Sequence, residues 1–203
     1  MCQVGWLSAS STVACRIWSA EAVRLAAKLL VRAVEDPYDD EARAGMLLAA
    51  SYAGIGFGNA GVHLPHGMSY PVAGMIRDYQ PAGYNVDHPI APHGISVILN
   101  TPAVARFTAP ASPERHLRAA AALGADVRDA GPDDAAAVLA DQVVQYLQDL
   151  RIPNGLSAIG YGNDDIPALV EGTLPQHRVT KLSPVEAGAD ELSRLFADSM
   201  TIW

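Results

Sequence analysis

Gly54-Ile55-Gly56-Phe57-Gly58-Asn59-Ala60-Gly61-Val62-His63-Leu64-Pro65-His66-Gly67-Met68-Ser69-Tyr70-Pro71 is the stretch on which this chain turns, continued by Asp87-His88-Pro89-Ile90-Ala91-Pro92-His93-Gly94. Four of the six histidines, His63, His66, His88 and His93, lie here, behind Gly54, Gly56, Gly58 and Gly61 at intervals of two or three. Glycine permits close backbone approach. Histidine is the commonest metal ligand and moves protons near neutral pH. The two together, bracketed by Pro65 and Pro92, read as a site and not as ordinary core.

The flanks on either side read as helices. Upstream, residues 1–16 carry no periodicity and are expected to be irregular. Ser19 is placed to cap a helix in which Ala22, Val23, Leu25, Ala26, Leu29, Leu30 and Ala33 share a face, with Arg24, Lys28 and Arg32 opposite. Asp36-Pro37 ends it. Asp39 or Asp40 caps a second helix through Met46, Leu47 and Ala50 towards the glycines. Pro65 suits the first turn of a helix carrying His66, with Pro71 tolerated or kinking it. Residues 80–91 read as a loop. Pro92 opens a helix with His93 in its first turn, continuing to about Phe107 with a bend at Pro102. Further helices are expected from Ser112 to Gly124, from Pro132 to about Arg151, from Asn163 to Gly172 and from Glu186 to Met200. With no convincing strand pattern and no repeat, the fold class is all-α, a multi-helix bundle-like domain over residues 17–203.

Composition narrows the function. At 203 residues, half of them hydrophobic, the chain can bury a sizeable core. Its net charge of -8 and its lack of any Lys/Arg cluster argue against a nucleic-acid surface. No apolar run approaches the roughly 20 residues of a membrane span. Cys2 and Cys15 have no CxxC spacing and read as free thiols in a reducing compartment, with no signal peptide evident; the expectation is a cytoplasmic protein.

His63 and His66, three apart, would share a face on a helix, and Asp87, His88 and His93 can return to them across the loop. Imidazole suits Zn, Fe, Cu and Ni alike. The competing account makes each histidine a cap or a hydrogen-bonded core residue. Gly54-x-Gly-x-Gly58 lacks the preceding strand and the ending of a phosphate loop. Asp133-Asp134 and Asp164-Asp165 sit where helix caps belong. Tyr146 reads as core. Ser69 and Ser96 lack a nucleophile elbow.

The segment from Gly54 to Pro71, with Tyr84-Asn85-Val86-Asp87-His88-Pro89, Pro92-His93-Gly94, Asp165-Ile166-Pro167-Ala168-Leu169-Val170 and Gly172-Thr173-Leu174-Pro175-Gln176, resembles the iron-containing alcohol dehydrogenase family, and within it the hydroxyacid-oxoacid transhydrogenase branch. The likeness runs from about Ile17 to the C-terminus and implies the helical, metal-carrying C-terminal domain. The resemblance implies four ligands for a divalent metal (iron, with zinc or nickel as alternatives): an Asp and a His one helical turn apart, then two histidines that map onto His66 and His93. It places Phe57 and Asn59 along the nicotinamide cleft. Many members carry a histidine where this chain has Tyr70, whose hydroxyl would face substrate. The Asp-His pair should precede Ile17, and Met1 to Arg16 holds neither residue. The expectation is therefore a chain without its N-terminal nucleotide-binding domain and with half of the metal shell.

The function so implied is the C-terminal part of a metal-dependent oxidoreductase moving hydride between an alcohol or hydroxy acid and a carbonyl or oxo acid. The chain by itself is expected to be inactive, to need the nucleotide domain as partner for NAD(H), and to form a homo-oligomer. The alternatives are a non-catalytic helical scaffold, and a self-contained metal site on His63, His66, His88 and His93.

Overall fold

The structure, a computed structural model, describes residues 7–203. Among them there is no β-strand, and ten α-helices follow one another. These are α1 (Val13–Glu35), α2 (Asp40–Ala60), α3 (Leu64–Gly74), α4 (His93–Ile98), α5 (Thr101–Thr108), α6 (Pro113–Ala122), α7 (Ala135–Asp149), α8 (Ile166–Thr173), α9 (His177–Thr180) and α10 (Ala189–Met200). The chain is all-α, as its periodicities require.

α1 begins earlier than the sequence suggests. Thr12 caps it, its hydroxyl accepting from the Cys15 N–H at 3.3 Å, so the helix starts four residues before Ile17. Ser19 is not a cap. It is buried in mid-helix, facing α2. The start is hard to read because Val13 and Ile17 are about two-thirds exposed (65% and 64%) and mark no apolar face. Of the two cysteines, Cys15 is free and buried, and Cys2 lies outside the described residues.

The four-residue link at Asp36–Asp39 folds α2 back along α1. Asp39 caps α2, accepting from Ala42 N at 2.9 Å. The hairpin closes through small residues: Ala22 of α1, with Ala42, Ala49, Ala53 and Gly56 of α2, all buried. At Gly56 a Cβ would lie 3.2 Å from Ser19 N and 3.3 Å from Cys15 O. The glycine run, expected as a site, is mostly the last two turns of this helix.

Two apolar clusters flank α5. One joins Leu64, Met68 and Val72 of α3 to Val104, Leu169 and Phe196. The other joins Val23 of α1 to Ala119 and Ala120 of α6 and to Leu139, Val143 and Leu147 of α7. Val104 faces the first and Ala105 the second, so α5 is the partition between them. Each fully buried leucine contributes roughly 1.5–3 kcal/mol. The expected single helix from Pro92 to Phe107 is two. α4 stops at Ile98, and α5 restarts at Thr101 with Pro102 in its first turn, where a missing N–H costs nothing. The aspartate caps are as expected: Asp134 Oδ2 accepts from Gly131 N and Asp165 Oδ2 from Gly162 N, both at 2.8 Å.

Candidate functional site

The site is built on α3. Its first turn is set by His63, whose carbonyl accepts from His66 N at 2.9 Å and from Gly67 N at 3.2 Å. His63 is therefore the residue that starts the helix, not one on its face, and it does not share a stripe with His66. The helix is then gripped from two sides by glycines. Gly67 lets the short α9 press on it: a Cβ at Gly67 would stand 2.8 Å from Thr180 Cγ2. Gly172 of α8 does the same for Pro71, whose Cβ would be 2.7 Å from a Cβ placed there. Pro71 leaves the helix unbroken, since α3 runs on to Gly74.

His66 is buried and His93 exposed. Their rings approach to 5.3 Å between centroids at 61°, although 27 positions separate them. Each is steadied in the same way. Ser69 Oγ donates to the His66 carbonyl at 2.7 Å, and Ser96 Oγ to the His93 carbonyl at 3.0 Å. Both serine hydroxyls are thus committed to backbone, which disposes of nucleophilic chemistry at either.

Burial pushes the His66 ring down to about 3, helped by repulsion from His93, so it is neutral and offers a lone pair. Its Nδ1 is buried without a hydrogen-bond partner. Metal–nitrogen bonds of about 2 Å put each ring centre roughly 3 Å from a shared ion, so ligating rings stand about 5 Å apart. The observed 5.3 Å fits two imidazoles on one divalent ion. No group of three or more His, Cys, Asp or Glu gathers among the described residues. The four-histidine site is therefore not formed. His88 is exposed and pairs with its neighbour Asp87, Nδ1 to Oδ1 at 3.0 Å. His63 is fully buried, lies against a cavity of about 10 Å³ shared with Thr101, Val104, Thr108 and Leu139, and has both ring nitrogens unpartnered. Desolvation drives it down to about 3 as well.

Phe57 and Asn59 lie in the last turn of α2, just ahead of α3. The Asn59 amide donates to the Ile55 carbonyl at 2.8 Å, leaving its oxygen exposed. Tyr70 is one turn beyond His66 and exposed, with Arg178 Nη2 3.5 Å from its hydroxyl. Sequence reasoning missed Arg178, which lies 108 positions away and shares no local pattern with Tyr70. A cleft of about 540 Å³ between α5 and α10, lined by Arg106, Phe107, Glu191 and Arg194, includes neither histidine. An apolar groove of about 410 Å³ among α1, α4 and α7 is lined by Gly94 and Ile95, next to His93 in the chain.

The all-helical fold agrees with what comparison finds. The profile of the Fe-containing alcohol dehydrogenase family, C-terminal, matches residues 5–200, and the chain belongs to that family as its C-terminal part. The hydroxyacid-oxoacid transhydrogenases, mitochondrial, of Rattus norvegicus and Homo sapiens are each 56% identical to it over 187 residues, covering 92% of this chain and 40% of theirs. The chain thus spans 40% of the length of these relatives. An alcohol dehydrogenase from Oenococcus oeni superposes with a TM-score of 0.87 at 22% identity, over 98% of this chain and 49% of that one, a likeness of fold. No described helix is long and apolar enough to cross a membrane. The expected cytoplasmic location finds no support in relatives whose names place them in mitochondria.

Proposed function

We propose that this chain forms the metal-holding wall of an oxidoreductase that moves hydride between a hydroxy acid and an oxo acid. The observation that carries the reading is the convergence of His66 and His93 from separate helices, neutral on the buried side and spaced for one ion. The 56% identity to the transhydrogenases supports the acid substrates, and family membership supports the metal, iron first, with zinc or nickel as alternatives.

In this reading His66 and His93 hold a divalent ion, which when bound polarises a C–O bond as a Lewis acid. The chain's own residues do the rest. α3, gripped between α8 and α9, fixes His66. The Ser96 hydroxyl fixes the turn that presents His93. Tyr70 lines the substrate side one turn along α3. Phe57 and Asn59 line the nicotinamide side at the end of α2. The remaining ligands and the NAD(H)-binding domain belong to the rest of a longer polypeptide, which we place against the apolar groove beside Gly94 and Ile95. Two imidazoles alone hold an ion weakly, so these 203 residues by themselves are proposed to be inactive. Leu47 of α2 is 74% exposed and Ile17 of α1 64%, which supports a homo-oligomer through the α1–α2 hairpin. A reducing compartment is proposed, on the free Cys15.

The test is metal content and turnover of the full-length protein with hydroxy acids and oxo acids. His66→Ala and His93→Ala should each lose most bound metal and nearly all activity, with helix content retained. Metal retained in both variants would sink the assignment and leave a non-catalytic helical scaffold as the better account.

A further inference from the structure

The metal wall carries a cation whose charge nothing in the fold uses. Arg24, Arg32, Arg77, Arg106, Arg128 and Arg194 each pair with a carboxylate within 4.0 Å. Arg178 has no such partner among the described residues, and neither do Arg16, Arg43, Arg115, Arg118, Arg151, Lys28 and Lys181; what sets Arg178 apart is its place beside Tyr70. Its side chain is exposed, and its one hydrogen-bonding neighbour is the Tyr70 hydroxyl, at the long limit of 3.5 Å. That weak contact leaves most of the five guanidinium N–H donors unspent.

Position gives this charge a meaning. α9 lies on α3 through the side-chain-free surface of Gly67, with Val179 Cγ2 and Thr180 Cγ2 3.4 and 2.8 Å from where a Cβ would be. Val179 is buried in that contact, and Arg178 stands beside it pointing out. Tyr70 is four residues after His66, so the two share a face of α3, with backbones about 6 Å apart along the axis. The Tyr70 hydroxyl, with the Arg178 guanidinium beside it, therefore projects from the helix face that carries His66, one turn along.

We propose that Arg178, with the Tyr70 hydroxyl, is a carboxylate-binding subsite that selects hydroxy acids and oxo acids over plain alcohols. The inference rests on the oxidoreductase reading and names the part of the site that recognises the acid. A guanidinium meets a carboxylate with two parallel N–H donors, and the Tyr70 O–H supplies a third donor to the same group. The substrate's oxygen end then lies towards His66 and His93 and its carboxylate end towards α9. Discrimination follows because a neutral alcohol leaves the fork unpaired.

The test uses the full-length protein with 4-hydroxybutyrate and 1-butanol, which share a carbon count and differ in the carboxylate. Arg178→Gln should raise KM for 4-hydroxybutyrate about 10- to 100-fold, the loss expected of a charge-assisted pair, and leave kcat/KM for 1-butanol within about 2-fold. Arg178→Lys should recover part of the loss, because it restores charge and not the fork. Calorimetric binding of butyrate, which cannot react, should weaken by the same factor in Arg178→Gln. Circular dichroism checks that the variants fold, as substitution of an exposed side chain should permit. An unchanged preference between the two substrates overturns the subsite while leaving the oxidoreductase reading intact. If the unaltered protein turns over neither compound, that reading falls and calorimetry alone decides the subsite. Butyrate binding lost in Arg178→Gln upholds it, and binding that is unaffected, or undetectable before substitution, overturns it.

Discussion

Gly56 and Gly58 are two residues apart on one helix, and substitution to alanine should move stability in opposite directions. Both lie inside α2, where glycine is less favourable than alanine by about 1 kcal/mol. Around a Cβ at Gly58 nothing lies within 4 Å, so Gly58→Ala should gain that full amount, and Gly54→Ala likewise. At Gly56 the new methyl meets the Ser19 hydroxyl, which can turn, and two backbone atoms of α1 at 3.2 and 3.3 Å, which can yield only by moving the helix. Overpacking of that kind costs roughly 1–3 kcal/mol, against the gain of about 1 from propensity. Gly56→Ala should therefore lose up to about 2 kcal/mol net, and the two variants should differ by about 1–3 kcal/mol. For a chain of this length each kcal/mol shifts Tm by about 2–4 °C. Urea melts followed by circular dichroism are the assay, with the m-value checked for constancy. If Gly56→Ala is stabilised as much as Gly58→Ala, the α1–α2 contact is not as close as described and the argument fails.

Two further outcomes follow from buried polar groups. His116 is fully buried, with Nδ1 donating to the Ser112 carbonyl at 2.9 Å and Nε2 3.0 Å from Thr108 Oγ1, and desolvation lowers its pKa. The unfolded chain then binds the extra proton more readily, so stability present above the ordinary histidine value near 6.5 is lost as pH falls below it, by up to about 1.4 kcal/mol per pH unit. Melts from pH 7 to 5 should be flatter in His116→Gln than in the unaltered chain, and equal slopes would refute this. Tyr161 donates its hydroxyl to the Val72 carbonyl at 2.6 Å, beneath the Arg77 guanidinium, so Tyr161→Phe should cost about 1–2 kcal/mol in the same melts.

What the sequence made legible were the features that act locally. Asp134 and Asp165 bond N–H groups three residues away, so their spacing to Gly131 and Gly162 is enough to find them. His66 and His93 each open a helix beside a proline, and the proline marks the spot. What escaped depends on distant contacts. The first turns of α1 show no apolar face because Val13 and Ile17 point outward. The glycines read as a site because they accompany four histidines and permit close backbone approach, yet Gly56 lies inside α2, where Ser19 and Cys15 of α1 leave no room for a larger residue. Arg178 becomes meaningful only when Gly67 brings α9 onto α3.

The electrostatics of the metal wall argue that it was shaped to face something negative. As proposed ligands, His66 and His93 would bring no charge, since a histidine must be neutral to bind. No Asp or Glu joins them among the described residues, and Arg178, beside Tyr70 one turn along α3 from His66, adds positive charge. A divalent ion held on this wall alone would keep its full charge beside a guanidinium, at the edge of a core formed by Leu64, Met68 and Val72. Charges left so poorly balanced near an apolar interior are costly. In the proposed reading a further carboxylate ligand would relieve the ion, and the carboxylate of a hydroxy acid would relieve the arginine. One histidine buried and the other exposed would suit such an arrangement, because a buried ring would fix the position of an ion and the open side would admit the anions that neutralise it.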